Sequence, residues 1–448
     1  MQAMQQTNWH TLIVGLGKTG LSIARYLSAN DVSFAVMDTR TAPPSADVLA
    51  KEFPAVECHF GGLTAEVMCS AQRMIVSPGI ALATPEIEKA RSLGIEVIGD
   101  IELFARDAKA PIIGITGSNG KTTVTTLVDR MAKQAGVNVA TGGNIGMPAL
   151  ELLNLRKVAL YVLELSSFQL ETTDSLKCRA ACILNISEDH LDRYAGRIDL
   201  YAAAKAKIYK NCEVKIVNRE DSKVVNLAND NRSITFGPGP THRGHYGVLL
   251  EGGKRWLAKG AEKLLSTAEM KVAGSHNEVN ALAALALAEA AGIEIQACLE
   301  VIKSFEGLEH RTQWIGEHNG IHWYNDSKGT NVGATVAALQ GLPGKTVLLA
   351  GGQGKGADFS PLADVVQKYA RAVVLFGEDA ELIALVLKGD IPIVFAKDMR
   401  DAVKQAKAMA CIGDNVLLSP ACASFDMFAN YEQRGRIFIE TVEREVLC

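Results

Sequence analysis

Residues 112–123 read Ile-Ile-Gly-Ile-Thr-Gly-Ser-Asn-Gly-Lys-Thr-Thr, an apolar strand running into a glycine loop that opens a helix. No other stretch constrains the fold as tightly. A strand that is apolar on both faces belongs inside a parallel sheet, and each return to that sheet needs a crossover helix. The chain is therefore expected to be α/β. The loop also carries chemistry. Backbone amides of Gly117, Ser118, Asn119 and Gly120, with the Lys121 ammonium, suit the β- and γ-phosphates of a triphosphate. The Thr122 hydroxyl suits Mg2+, and Thr123 is expected in the same ATP-binding run. The spacing is G-x-x-G-K-T, with Ile115 at the usual first glycine position of a phosphate loop.

A phosphate loop needs an acid for its cation. The apolar run 157–163 ends in Glu164, at the carboxyl end of a strand, where a magnesium ligand belongs; the alternative is an exposed strand terminus. A second strand, 180–186, runs into Ser187-Glu188-Asp189-His190 and delivers a polar cluster to the same sheet edge. A lone histidine is more often structural, but beside a phosphate loop His190 is a candidate ligand. Lys205 opens two readings. A helix predicted over 199–211 puts Tyr201, Lys205, Ile208 and Tyr209 on one face. A lysine on such a stripe usually snorkels to water. If buried instead, it is easily neutralised, and its amine can take up CO2 as a carbamate and so ligate a second Mg2+.

An earlier unit has the same grammar. Strand 11–14 leads into Gly15-Leu-Gly17-Lys18-Thr19-Gly20 and a helix over 21–29, and Asp38 ends the next strand. The glycines let amides approach a diphosphate and the acid can bond a ribose or base edge, as in a nicotinamide dinucleotide site. The competing reading is tight strand–helix packing alone. The motif does not name its nucleotide.

At roughly 150 residues per domain, 448 residues make about three domains. Forty-six basic and 50 acidic residues give a net charge of −4, so no basic field invites nucleic acid. Mean hydropathy is +0.09 and the apolar fraction 48%, a core-forming composition. The longest membrane candidate, 281–288, stops at Glu289, well short of the ~20 residues a span needs. The opening MQAMQQTNWH lacks a basic export region, so a cytoplasmic location is expected. Nine scattered cysteines argue against a disulfide framework or zinc knuckle. Strand and helix signals alternate over 11–108, and a boundary is expected near residue 105. Between 232 and 273 the texture changes to an antiparallel subsheet, with a hairpin about Glu251-Gly-Gly, and a helix follows at 278–291. A third α/β unit begins near 308, with strands at 346–350, 372–376, 391–395 and 415–418.

Taken together these motifs resemble the Mur ligase family of peptidoglycan synthesis. The resemblance runs through Gly117–Thr122, Gly142-Gly-Asn144-Ile-Gly146, Glu164-Leu-Ser-Ser-Phe-Gln-Leu-Glu171, Glu188–Arg193, His310-Arg311, Asn325–Asn331, Gly351–Gly356 and Ser419–Asp426. It implies three domains: an N-terminal Rossmann-like domain (1–105) for a UDP substrate, a central P-loop ATPase-like domain with a small antiparallel subsheet (106–307), and a C-terminal Rossmann-like domain (308–448) for an amino acid. It implies ATP-dependent addition of D-glutamate to UDP-N-acetylmuramoyl-L-alanine through an acyl phosphate, by a monomer. Lys121, His190, Lys205 and Lys328 become catalytic candidates. Thr122 and Glu164 are expected on one Mg2+, His190 and carbamylated Lys205 on a second. The ATP set gains Asn277, Arg311 and Asp326. The first fingerprint becomes a uridine diphosphate site of Gly17, Lys18, Thr19, Asp38, Thr39 and Arg40, with Ser77 and Gly79 on its rim; Asn144 and His190 also face that substrate. Thr330, Lys355, Ser424, Phe425 and Tyr431 match D-glutamate contacts. Gly329 stands where alanine is common, which predicts a looser loop around Lys328.

Two competing readings stay in view. A nicotinamide-dependent dehydrogenase would rest on residues 13–38 alone and leave the Gly117 loop without work. A folate polyglutamate synthase shares the ATP loop, but is not expected to carry the N-terminal fingerprint.

Overall fold

The computed structural model describes residues 9–229, 233–272, 274–387, 389 and 391–447. The first eight residues of the opening segment, the ends of the 232–273 segment and Cys448 lie outside them.

Apolar runs form four sheets. The first holds β1 (Thr11–Val14), β2 (Phe34–Asp38), β3 (Cys58–Phe60), β4 (Arg73–Val76) and β5 (Glu96–Ile98), all parallel in the order β3-β2-β1-β4-β5. The strand order reverses between β1 and β4, so their carboxyl ends flank a crevice of the kind that takes nucleotides. The second sheet holds β6 (Ile112–Thr116), β7 (Val139–Gly143), β8 (Leu160–Glu164), β9 (Ala180–Ile183), β10 (Val214–Asn218) and β11 (Ile234–Phe236). It too is parallel, in the order β11-β10-β9-β6-β8-β7, with the phosphate-loop strand β6 at its centre.

The antiparallel subsheet is smaller than its texture suggests. It comprises β12 (Tyr246–Glu251), β13 (Lys254–Lys259) and β14 (Glu262–Ser266), while β11 joins the parallel sheet instead. The fourth sheet has the order β15-β16-β20-β17-β18-β19, from β15 (Gln313–His318), β16 (Ile321–Asn325), β17 (Thr346–Gly351), β18 (Ala370–Phe376), β19 (Ile393–Phe395) and β20 (Asn415–Leu418). It is mixed. The β15–β16 hairpin is antiparallel and was not anticipated, because Gln313–Asn325 is mostly polar or aromatic and lacks an aliphatic run.

Packing explains the helices. The alanine-rich helix Ser275–Ala290 buries every residue from Ala281 to Ala288, since small side chains let it lie close against both the second sheet and the helix Lys121–Gln134. That burial accounts for its apolar run; no described helix is long and apolar enough to cross a membrane. The helix predicted over 199–211 splits into an α-helix, Ile198–Ala206, and a 3-10 turn, Lys207–Tyr209. Residue 105 falls inside the helix Asp100–Asp107, whose Ile101, Leu103 and Phe104 share one core with Tyr161 of β8. The expected boundary at that residue would therefore cut a helix.

Candidate active site in two adjoining cavities

Thr116 ends β6, and the chain turns into the helix Lys121–Gln134 through Gly120 at φ 84°, a left-handed conformation that glycine adopts without strain. No side chain caps this helix, so its first amides remain available to an anion. The loop is held from beside: Asn185 accepts from the Ser118 amide through its carbonyl (2.9 Å) and from the Asn119 amide through its side chain (2.8 Å). Lys121 curls back to donate to the carbonyls of Gly117 (2.8 Å) and Ser118 (3.0 Å). Burial pushes its ammonium pKa down.

Glu164 ends β8 and is 1% exposed, which disposes of the exposed-terminus reading. Its Oε1 accepts from Asn144 Nδ2 at 2.8 Å, while its Oε2 is buried without a hydrogen-bond partner. An orphaned carboxylate oxygen costs of order 1–3 kcal/mol or more, and a hard cation satisfies it. Among the described residues no three His, Cys, Asp or Glu side chains converge. The free Glu164 oxygen is a hard ligand of the kind Mg2+ takes, since that ion keeps waters and needs only one or two protein carboxylates.

Lys205 is 1% exposed, so it does not snorkel. Its ammonium donates to the Gly117 carbonyl (2.9 Å) and to Thr116 Oγ1 (3.3 Å), and lies 4.5 Å from the centre of the Tyr201 ring. Two lysines thus meet on one carbonyl. Burial first, and Lys121 second, push the Lys205 pKa well down. His190 sits at φ 52° with its ring edge-on to Phe168 at 5.1 Å, and burial lowers its pKa.

Two cavities flank this loop. One, of about 460 Å³, takes in Thr123, Asn277 and Asp326. The other, of about 720 Å³, is lined by Lys121, Thr122, Asn144, Glu164 and His190 and also by Thr330, Lys355, Ser424, Phe425 and Tyr431. Asn119, Gly120, Arg311 and Lys328 line both, so the cavities adjoin across these four residues. Segments that flank the second and fourth sheets are already in contact. Arg311 donates to Thr122 Oγ1 at 2.7 Å, and Asn119 and Asn331 exchange amide hydrogen bonds at 3.0 and 3.1 Å.

The loop of Lys328 is taut. Lys328, Gly329 and Thr330 donate to His310, Asp326 and Lys328 carbonyls at 3.0, 2.8 and 2.8 Å, and Ala421 donates to Gly329 at 2.9 Å. A Cβ on Gly329 would come within 2.5 Å of Asp326 Oδ2. The expectation of looseness is therefore corrected. Lys328 lies 4.0 Å over the Tyr431 ring, and burial with Arg311 and Lys121 nearby brings its pKa down to about 8. Desolvation raises Asp326, which accepts from Ser419 Oγ (2.7 Å) and the Thr312 amide (3.0 Å), to about 6.

The first-sheet residues line neither cavity. Lys18 and Thr19 open the helix Lys18–Ala29, and Gly17 precedes it with open space where a Cβ would stand. Gly20, by contrast, is pressed against the Gly15 carbonyl. The fingerprint therefore serves packing at Gly20 and leaves access at Gly17. Asp38 is fully buried; its carboxylate accepts from the Leu16 amide (2.6 Å) and from the Arg40 amide, Nε and Nη2 (2.9, 2.8 and 2.7 Å). Those bonds outweigh desolvation and bring its pKa down to about 2. Thr39 and Gly79 are exposed, while Ser77 donates to the Gly15 carbonyl at 2.8 Å.

Sequence reasoning missed Arg193, which ties this rim to the His190 segment by donating to the carbonyls of Ile80 (2.6 Å) and Pro78 (3.3 Å). It also missed Asn280, three residues after Asn277 on one helix face and in the smaller cavity, a spacing that was readable.

Three family models match the chain: "Mur ligase MurD-like, N-terminal domain" over residues 9–99, "Mur ligase middle domain" over 115–288, and "Mur ligase, glutamate ligase domain" over 310–422. The chain is 52% identical over 441 residues to a UDP-N-acetylmuramoylalanine–D-glutamate ligase of Nitrosococcus oceani, covering 98% of this chain and 97% of that one. It is 51% identical over 437 residues to the protein of the same name from Pseudomonas aeruginosa, covering 96% and 97%. Among solved structures, a pseudomurein peptide ligase type C from Methanothermus fervidus aligns with a TM-score of 0.61 at 18% identity, over 98% of this chain and all of that one. A MurF ligase from Thermotoga maritima in complex with ADP aligns at 0.59 and 16% identity, over 99% and 96%. At such identities the structures speak for the fold.

Proposed function

The chain belongs to the Mur ligase family, and from that premise we infer that it is the ATP-dependent ligase joining D-glutamate to UDP-N-acetylmuramoyl-L-alanine. The observation that carries this reading is the junction of the two cavities at Asn119, Gly120, Arg311 and Lys328. A phosphoryl donor in the smaller cavity and a carboxylate in the larger would face one another there.

The reaction has two steps. A carboxylate oxygen of the alanyl group attacks the γ-phosphorus and ADP leaves, giving an acyl phosphate. The neutral amine of D-glutamate then attacks the acyl carbon, the C–O bond to phosphate breaks, and the amine proton is lost. The first step crowds negative charge at the junction. Lys121, Arg311 and Lys328 supply fixed positive charge there, the main protein contribution to such transfers. Glu164 and Thr122 would hold one Mg2+, His190 and a carbamylated Lys205 a second, and bound Mg2+ supplies further neutralisation of the phosphoryl oxygens. The shared Gly117 carbonyl favours that modification: two cations 2.8 and 2.9 Å from one oxygen repel, whereas a carbamate would turn the repulsion into attraction.

Thr330, Lys355, Ser424, Phe425 and Tyr431 would receive D-glutamate, with Lys355 available to its carboxylates. The rim of Gly17, Asp38, Arg40, Ser77 and Gly79 would hold the uridine diphosphate, and Arg193 links that rim to His190. Asp38 would act through Arg40, since its own lone pairs are already engaged. Every residue named in this reading comes from one chain, so the reading needs no second copy; its use of ATP fits the cytoplasm.

The test is product formation from ATP and D-glutamate with either UDP-N-acetylmuramoyl-L-alanine or a folate as acceptor. The nucleotide-sugar alone should yield amide product and phosphate. Glutamylation of the folate instead would overturn the assignment.

A further inference from the structure

Arg434, on the helix Tyr431–Val442, is completely buried and pairs with no carboxylate among the described residues. Desolvation brings its pKa down to about 10. Leaving a guanidinium inside a protein without an acid is costly, so its hydrogen bonds have to be good ones. Nε donates to Ser327 Oγ at 3.0 Å and Nη2 to the Ser327 carbonyl at 2.8 Å. Nη1 donates to the carbonyls of Cys422 (3.1 Å) and Ala423 (3.3 Å). Ser327 in turn donates through Oγ to the Tyr431 carbonyl at 2.8 Å.

These partners are, or adjoin in sequence, residues that line the larger cavity: Lys328, Ala423, Ser424 and Tyr431. Ser327 precedes Lys328 and Thr330, Ala423 precedes Ser424, and Tyr431 opens the helix that carries Arg434 itself. The three segments meet at one planar fork. The network continues inward: the Ser327 amide donates to Asn325 Oδ1 at 3.1 Å, and Asn325 Nδ2 lies 2.8 Å from His310 Nδ1, next to Arg311. His310 fits against this helix only because residue 435 is glycine, where a Cβ would stand 2.3 Å from the ring nitrogen.

We propose that Arg434 is a positioning residue for the acceptor amino acid, its fork fixing the Lys328–Thr330 loop, the Ser424 loop and Tyr431 in the arrangement that receives D-glutamate. This rests on the reading of D-glutamate as acceptor. A lysine could keep the charge but not the fork, because an ammonium cannot present paired donors in one plane.

The experiment compares wild type, Arg434→Lys and Ser327→Ala by steady-state kinetics and by hydroxylamine trapping of the acyl phosphate without D-glutamate. A misplacement of about 1 Å costs about a hundredfold. Arg434→Lys should therefore raise KM for D-glutamate at least about tenfold, with KM for ATP and trapped acyl phosphate within about threefold of wild type. Ser327→Ala, which removes only a hydroxyl, should move KM for D-glutamate the same way by a smaller factor, and it decides the matter if Arg434→Lys does not fold. Unchanged KM for D-glutamate in a folded variant, or parallel loss of trapping and of all three KM values, would overturn the proposal. Wild type failing to amidate D-glutamate at all would instead overturn the reading beneath it.

Discussion

Two strand–glycine–helix units, after β1 and after β6, use their charges in opposite ways. In the first, Asp38 is saturated: the Leu16 amide and three Arg40 donors engage both carboxylate oxygens. In the second, Glu164 keeps one buried oxygen unpaired, while Lys121 and Lys205 converge on a single carbonyl. The same arrangement of backbone thus yields one unit that is electrostatically closed and one that is poised for foreign charge. A closed unit can recognise a ligand through its rim; only the poised one can drive chemistry.

The largest effect should come from the poised unit. Lys121→Ala is expected to lower kcat by about a thousandfold or more while thermal melting shifts by no more than a few degrees, because Lys121 contacts its own loop. Phosphate-release assays and calorimetry check both, and retention of more than a few per cent of activity would erase the contrast. Lys205→Ala should cost about a hundredfold, and acetate should restore part of it by occupying the space that a carbamate on Lys205 would fill. A chloride control at matched ionic strength separates rescue from salt. Near-normal activity, or an inactive variant deaf to every short carboxylate, would leave the second unit with a structural lysine.

The closed unit should answer differently. Asp38→Ala is expected to raise KM for the nucleotide-sugar about tenfold with kcat held. It should also cost about 1–3 kcal/mol of stability by orphaning the Leu16 amide, read in a urea titration. A fall in kcat with unchanged KM would break the division between recognition and chemistry.

The smallest effect is a difference of sign. Asp38, near 2 when folded, lies below its unfolded value, so it stabilises above about pH 4 and that contribution is lost as pH falls through 2. Asp326, near 6, lies above its unfolded value, so stability is full below about pH 4 and is lost as pH rises through 6. Relative to Asp38→Asn, wild type should gain of order 1 kcal/mol between pH 2 and 4, the half-exposed Arg40 limiting the size. Relative to Asp326→Asn, it should lose stability between pH 4 and 6. Slopes of one sign would mean the two carboxyl groups share an environment.

How far these features were legible depended on range. The α/β class, both glycine loops and Glu164 followed from short apolar runs ending in special residues, a signal confined to about ten positions. Burial of Lys205 was not legible, because a stripe of Tyr201, Lys205, Ile208 and Tyr209 reads alike whether it faces solvent or the underside of a loop 88 residues away. Nor was the role of Arg434, whose partners lie up to 107 residues distant. The β15–β16 hairpin escaped because its polar strands owe their pairing to the sheet edge they join. Asp38 was placed correctly at a strand end, but its saturation by Arg40 two residues on was not foreseen.

The crowding at Gly435 bears on how this protein can change over generations. Any single-nucleotide substitution of a glycine codon that alters the residue brings a larger side chain, and the first atom added would strike His310. Glycine inside a helix costs about 0.5–1 kcal/mol relative to alanine, so the helix bears a standing penalty for a position it has no freedom to improve.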